Sequence, residues 1–176
     1  MASTYKTTVL TDIHAESRRF NEHNDCTVRA LAIAARVPYQ AAHSALAAAG
    51  RPHRRGPKAI GQRDKTGAVR VDCPAIRIAA NTVGMDIRRL ERTEYAAKTV
   101  ATAPRDSRLQ EGSYILYVRG HVAALVDGEV IDWTDGRRHR IQEVYELKPR
   151  QAAPVAPVAP VAPMQRMSGF IQGKLF

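Results

Sequence analysis

Cys26 stands directly after Asn24-Asp25 and directly before "TVRALAIAARV", eleven helix-forming and largely apolar residues. A thiol at the first turn of a helix is placed for reactivity rather than packing. The reactive form of cysteine is the thiolate, and the free backbone N–H groups and positive dipole end of a helix N-terminus stabilise it. Such a nucleophile works with a base, most naturally a histidine oriented by a third group. "RGHVAALVDGEVIDW" supplies both: His121 opens a strand-like run, the chain turns at Asp127-Gly128, and Asp132 follows, next to Trp133. A tight hairpin at Asp127-Gly128 sets residue 121 across from 133 or 134. That makes His121 and Asp132 neighbours at one end of the ribbon, where the carboxylate can accept from the imidazole and fix its tautomer. Trp133 then belongs to the core or covers the site.

The rival chemistries are weaker. "DCP" places Cys73 at another helix start, but Pro74 follows and no amide precedes it closely, so Cys73 reads as structural. His23 and Cys26 are three apart, yet no second Cys/His pair completes a zinc set, and no metal or cofactor is expected. "GRPHRRGPKAIG" lacks the Gly-Lys-Ser/Thr ending of a phosphate loop. It reads instead as a basic flap beside the site, in which Arg51, Arg54, Arg55 and Lys58 would contact an acidic or phosphate-bearing substrate.

The elements that must position these residues come in two groups. Val28, Leu31, Ala32 and Ala35 give a helix over 26–36 that Pro38 ends, and Tyr39, Ala42, Leu46 and Ala49 give a second over 39–49, closed by Gly50. Residues 51–70 have no apolar period and read as a loop. A third helix spans 72–84, with Asp72 near its N-cap and Pro74 in its first turn. Thereafter "SYILYVRG", "HVAALVDG", "EVIDWTDG" and "RHRIQEVYEL" read as short strands, with hairpin signals at both Asp-Gly pairs. Helices first and an antiparallel β-meander second make an α+β fold.

Cysteine on the first turn of a helix, histidine on a strand, and Asp followed by Trp on the next strand resemble the papain-like cysteine peptidase superfamily. The likeness is closer to the peptidase domains of bacteriocin exporters, where Asp-Cys also opens the helix, and "NDCTVRALAIA" with "PYQAAHSALAAAGR" is similar to small papain-like proteins of tailed phages. The resemblance covers roughly residues 20–147. It implies Cys26 as nucleophile, His121 as general base, Asp132 as orienting acid, and an amide side chain upstream of the cysteine in the oxyanion hole. Asn21 is assigned that place, although the family's usual residue is glutamine at slightly longer spacing; Asn24 caps the helix or shapes the turn.

The chain has 176 residues, of which 44% are hydrophobic, the measure of about one domain. Residues 1–150 are read as that domain. No run is long and apolar enough for a membrane span, and the polar, charged start is not a secretory signal. Two cysteines without such a signal fit a reducing compartment: the cytoplasm of a host cell, or a virion if the chain is phage-encoded. Net charge is +10, with basic clusters at 50–58 and 136–140, but aromatics make up only 6% and none lies in either cluster, so nucleic acid is the weaker partner. "APVAPVAPVAP", 153–163, favours polyproline II with a reach of roughly 34 Å, and 151–163 is read as a linker. The apolar peptide 164–176 beyond it reads as a docking motif. Two readings result: a thiol hydrolase acting on a peptide, isopeptide or amide bond, and a papain-like phage structural protein attached through that tail.

Overall fold

The computed structural model describes residues 4–22, 24–51 and 74–150. His23, the segment 52–73 with Arg54, Arg55, Lys58 and Cys73, and the tail with its linker and docking peptide lie outside the described residues. Four helices come first: α1 (Thr4–Arg19), α2 (Cys26–Ala35), α3 (Tyr39–Ala48) and α4 (Pro74–Thr82). Five strands follow: β1 (Met85–Arg89), β2 (Ser113–Val118), β3 (His121–Val126), β4 (Glu129–Val130) and β5 (Ile141–Pro149). All pairings in the sheet are antiparallel. The architecture is α+β.

Local chemistry sets the helix ends. Arg36 takes a left-handed conformation (φ 55°), so its own N–H and that of Val37 bond back to the carbonyls of Ile33 and Ala32. Pro38 cannot continue the helix and instead occupies the N-cap of α3. Asp25, rather than Asn24, holds the N-cap position of α2. Two elements escape a reading of the sequence. α1 is rich in polar residues, and among its described side chains Val9, Ile13 and Ser17, with Phe20 just beyond, reach the core side. β1 is the charged stretch "MDIRR", tolerable because it is an edge strand paired only with β5.

The strand order, β1-β5-β2-β3-β4, corrects the expected meander. β2, β3 and β4 do run as successive hairpins, but β5 returns to the far side of β2. β4 has two residues and offers little to pair with, whereas β2 presents six. The two Asp-Gly pairs also differ. Asp127 and Gly128 both have positive φ (48° and 74°) and turn β3 into β4, the backbone of a two-residue hairpin loop. Asp135-Gly136 makes a turn outside the sheet and joins no hairpin.

Helices cover one face of the sheet, where Ile115, Tyr117, Val122, Ala124 and Val126 meet Val28, Leu31, Leu46 and Ile76. The other face buries Leu116, Ala123, Leu125 and Val144 under short 3-10 segments, among them Val100–Arg105 and Ser107–Leu109. With both faces covered, β2 is buried along its whole length and β3 along all but its first residue. This is why "SYILYV" and "VAALV" are apolar throughout instead of alternating.

Candidate active site

α2 lies along β3 and runs in the same direction. At one end the Arg36 guanidinium bonds the Asp127 carboxylate in the hairpin turn. At the other, Cys26 on the first turn of α2 meets the start of β3. There the side chain of His121, the backbone of Val122 and the side chain of Thr27 act electrostatically on its sulfur. His121 in turn bonds Asp132, with Nε2 to Oδ2 at 2.9 Å. A carboxylate only accepts, so Nε2 carries the proton and Nδ1 remains for the sulfur.

The β3–β4 ladder stops at Leu125↔Val130, with one further bond from Ile131 N–H to the Ala124 carbonyl at 3.0 Å. The chain then bends at Asp132, which swings its carboxylate to His121 without a paired strand. Thr134, fully buried, holds it there: its N–H (2.9 Å) and hydroxyl (2.6 Å) both donate to the oxygen that receives His121. Thr134 was not among the residues singled out from the sequence. The signal was present in "DWT", since an Asp readily accepts from the residue two positions on.

Electrostatics follow this geometry. Burial pushes the Cys26 thiol up, but the hydrogen bond and charge of His121, with the Val122 N–H and Thr27, outweigh it and bring the thiol below its ordinary 9.0. Burial pushes His121 down, yet Asp132 and Cys26 raise it from 6.5 to about 9. Burial likewise opposes the ionised form of Asp132, and the bonds from His121 and Thr134 overcome it, keeping the carboxyl below its ordinary 3.8. The thiol is thus shifted toward its ionised form beside an imidazole shifted toward its protonated one.

Trp133 is 53% exposed and lies against the imidazole, with ring centroids 5.0 Å apart. It covers the site rather than joining the core. On its other contacts are His139, edge-on at 5.8 Å, and the Arg137 guanidinium, 5.0 Å from the indole centroid.

The segment leading to Cys26 is held by a buried polar cluster. Glu22 accepts from both terminal nitrogens of Arg51 at 3.2 Å and contacts His43 Nε2 at 3.1 Å. Arg51 also donates to the Asn24 carbonyl. Asp25 accepts from the Tyr39 hydroxyl and from Arg29. Arg51 therefore cannot serve as part of a substrate-contacting basic flap: it is buried and paired, pinning the segment that leads to Cys26. Asn21 is exposed with φ 50° and borders a cavity of about 370 Å³ with His14, Ser17, Arg18, Glu22, Asp25 and Arg29. It is not among the groups that bond the Cys26 sulfur.

Among the described residues, no group of three or more His, Cys, Asp or Glu side chains is arranged to hold a metal ion, and no helix is long and apolar enough to cross a membrane. No protein-family model, curated protein or solved structure matches the chain.

Proposed function

We propose that the chain is a thiol hydrolase that cleaves a peptide, isopeptide or amide bond through an acyl-enzyme, with a papain-like arrangement of helix and sheet. The observation that carries the reading is the continuous relay of Cys26, His121 and Asp132, with the thiol lowered and the imidazole raised. A buried cysteine kept for packing has no use for such partners. The helix-borne cysteine against an antiparallel sheet, with His121 opening β3 and Asp132-Trp133 following β4, supports the papain-like assignment.

In this mechanism the Cys26 thiolate attacks the carbonyl carbon, and the C=O π electrons move onto oxygen. The helix N-terminus, through the Cys26 N–H, and the Asn21 side chain take the oxyanion. The His121 imidazolium passes its Nδ1 proton to the leaving nitrogen as the C–N bond breaks, leaving a thioester on Cys26. Neutral His121 then takes a proton from water, whose oxygen attacks the thioester. Collapse releases the acid and restores thiolate and imidazolium. Asp132 stays ionised throughout and fixes the ring.

The test is the rate of iodoacetamide alkylation against pH, with peptide mapping to separate Cys26 from Cys73. Rapid labelling of Cys26 at pH 6, lost in His121→Ala, supports the hydrolase. Labelling that rises only near the ordinary thiol value and ignores His121→Ala refutes it.

A further inference from the structure

We infer that the turn from Trp133 to Arg140 forms the leaving-group subsite of this site and selects peptides carrying carboxylates on the amine side of the scissile bond. The inference rests on the hydrolase reading above. Its first support is chemical: His121 must hand a proton to the departing nitrogen, so the leaving segment has to lie over the imidazole. Trp133 already lies against that ring, and the chain runs on from it through Arg137, Arg138, His139 and Arg140.

The second support is that this basic stretch is exposed yet held on a fixed backbone. The Arg137 N–H bonds the Thr134 carbonyl, the Ala101 and Val100 N–H groups bond the Arg137 and His139 carbonyls, and Ile141 N–H bonds Lys98, each at 3.0 Å. A bridge between Thr99 and Arg140 adds to these ties. Arg137, Arg138 and Arg140 are all exposed, and among the described residues none of them pairs with a carboxylate. Asp135, the acidic residue of the same turn, has a partner of its own. Arg137 donates only its Nε, to the Trp133 carbonyl at 3.3 Å, which leaves its terminal nitrogens for a ligand. Pre-set guanidinium forks suit carboxylates.

Nucleic acid fits less well. The indole of Trp133 is already engaged by His121, Arg137 and His139, so no clear stacking platform is offered to a base.

The experiment uses the full chain and measures Cys26 alkylation by iodoacetamide at pH 7 with competing oligomers: hexaglutamate, hexalysine, a neutral Gly-Ser hexamer and hexathymidylate. Hexaglutamate should slow alkylation about threefold or more at low salt, by the usual contribution of a few exposed ion pairs, and lose the effect at high salt. The slowing, taken as a ratio within each protein, should vanish in Arg137→Ala/Arg138→Ala/Arg140→Ala. In Arg138→Glu/Arg140→Glu the preference should pass to hexalysine; circular dichroism verifies that both variants fold. A rapidly alkylated Cys26 that hexaglutamate does not protect, or that hexathymidylate protects equally, overturns this inference and leaves the hydrolase standing. A thiol with ordinary pH dependence removes the hydrolase and this subsite with it.

Discussion

Asp132→Asn offers a direct measure of how strongly the relay holds its proton. His121 moves from 6.5 to about 9 in the folded protein, which amounts to about 3 kcal/mol of preference for the imidazolium at about 1.4 kcal/mol per pH unit. Burial works against that preference, and the Asp132 and Cys26 contacts produce it. A hydrogen bond to a charged group contributes about 1.5–3 kcal/mol. Exchanging the carboxylate for an amide should therefore lower the His121 midpoint by about one to two pH units. The readout is built in: Trp133 is the chain's single tryptophan, and its ring lies 5.0 Å from the imidazole. An imidazolium quenches a neighbouring indole, so fluorescence should rise as His121 loses its proton. His139 is the second imidazole beside Trp133, and a His139→Gln background removes its contribution. Wild type in that background should brighten around pH 9, and Asp132→Asn well below it. Equal midpoints in the two proteins, or a wild-type midpoint near 6.5, would refute the proposed coupling.

Other consequences can be measured on the same material. Glu22→Gln removes the carboxylate facing the buried Arg51 guanidinium, and the urea midpoint should fall by the equivalent of about 3–5 kcal/mol. Thr134→Val deletes the hydroxyl bond to Asp132 and should cost about 1.5–3 kcal/mol by thermal unfolding. Gly128→Ala should destabilise by about 1–2 kcal/mol, because φ is 74° and the new Cβ would sit 2.9 Å from Gln110 Oε1. The pH dependence of stability has opposing parts. The raised His121 contributes fully below 6.5 and loses its contribution as pH rises through about 9; the lowered Cys26 contributes above 9.0 and loses it as pH falls through its folded value. Between 6.5 and about 9 the two slopes have opposite signs: the proton that folded His121 keeps makes stability fall with rising pH, and the proton that folded Cys26 gives up makes it rise. Wild-type urea midpoints should therefore fall less across that window than those of Cys26→Ala, which should weaken steadily with rising pH.

Much of the site could be read because its parts carry local signals. Cys26 announced itself by where its helix begins, and Asp127-Gly128 fixed a hairpin that brings residues 121 and 132 near each other. The order of the sheet could not be read the same way. Whether β5 joins β4 or crosses to β2 depends on how much edge each offers, a comparison that no local window contains. α1 and β1 escaped for a related reason: each is a segment rich in polar residues with few apolar ones, and only the partner surface turns it into an element. Arg51 shows the converse failure. It sits in a basic run and resembles its neighbours, yet tertiary packing buries it against Glu22, twenty-nine positions away in the chain.

The side-by-side run of α2 and β3 makes a strut with two fastenings. One is the contact of Cys26 with Val122 and His121; the other is Arg36 with Asp127, about 15 Å away at the rise of a ten-residue helix. The hairpin tip is therefore a mechanical part of the candidate site. Lengthening that turn, a change surface loops usually absorb, would let the helix slide along the strand. The distance between sulfur and imidazole would then be set at the opposite end of α2.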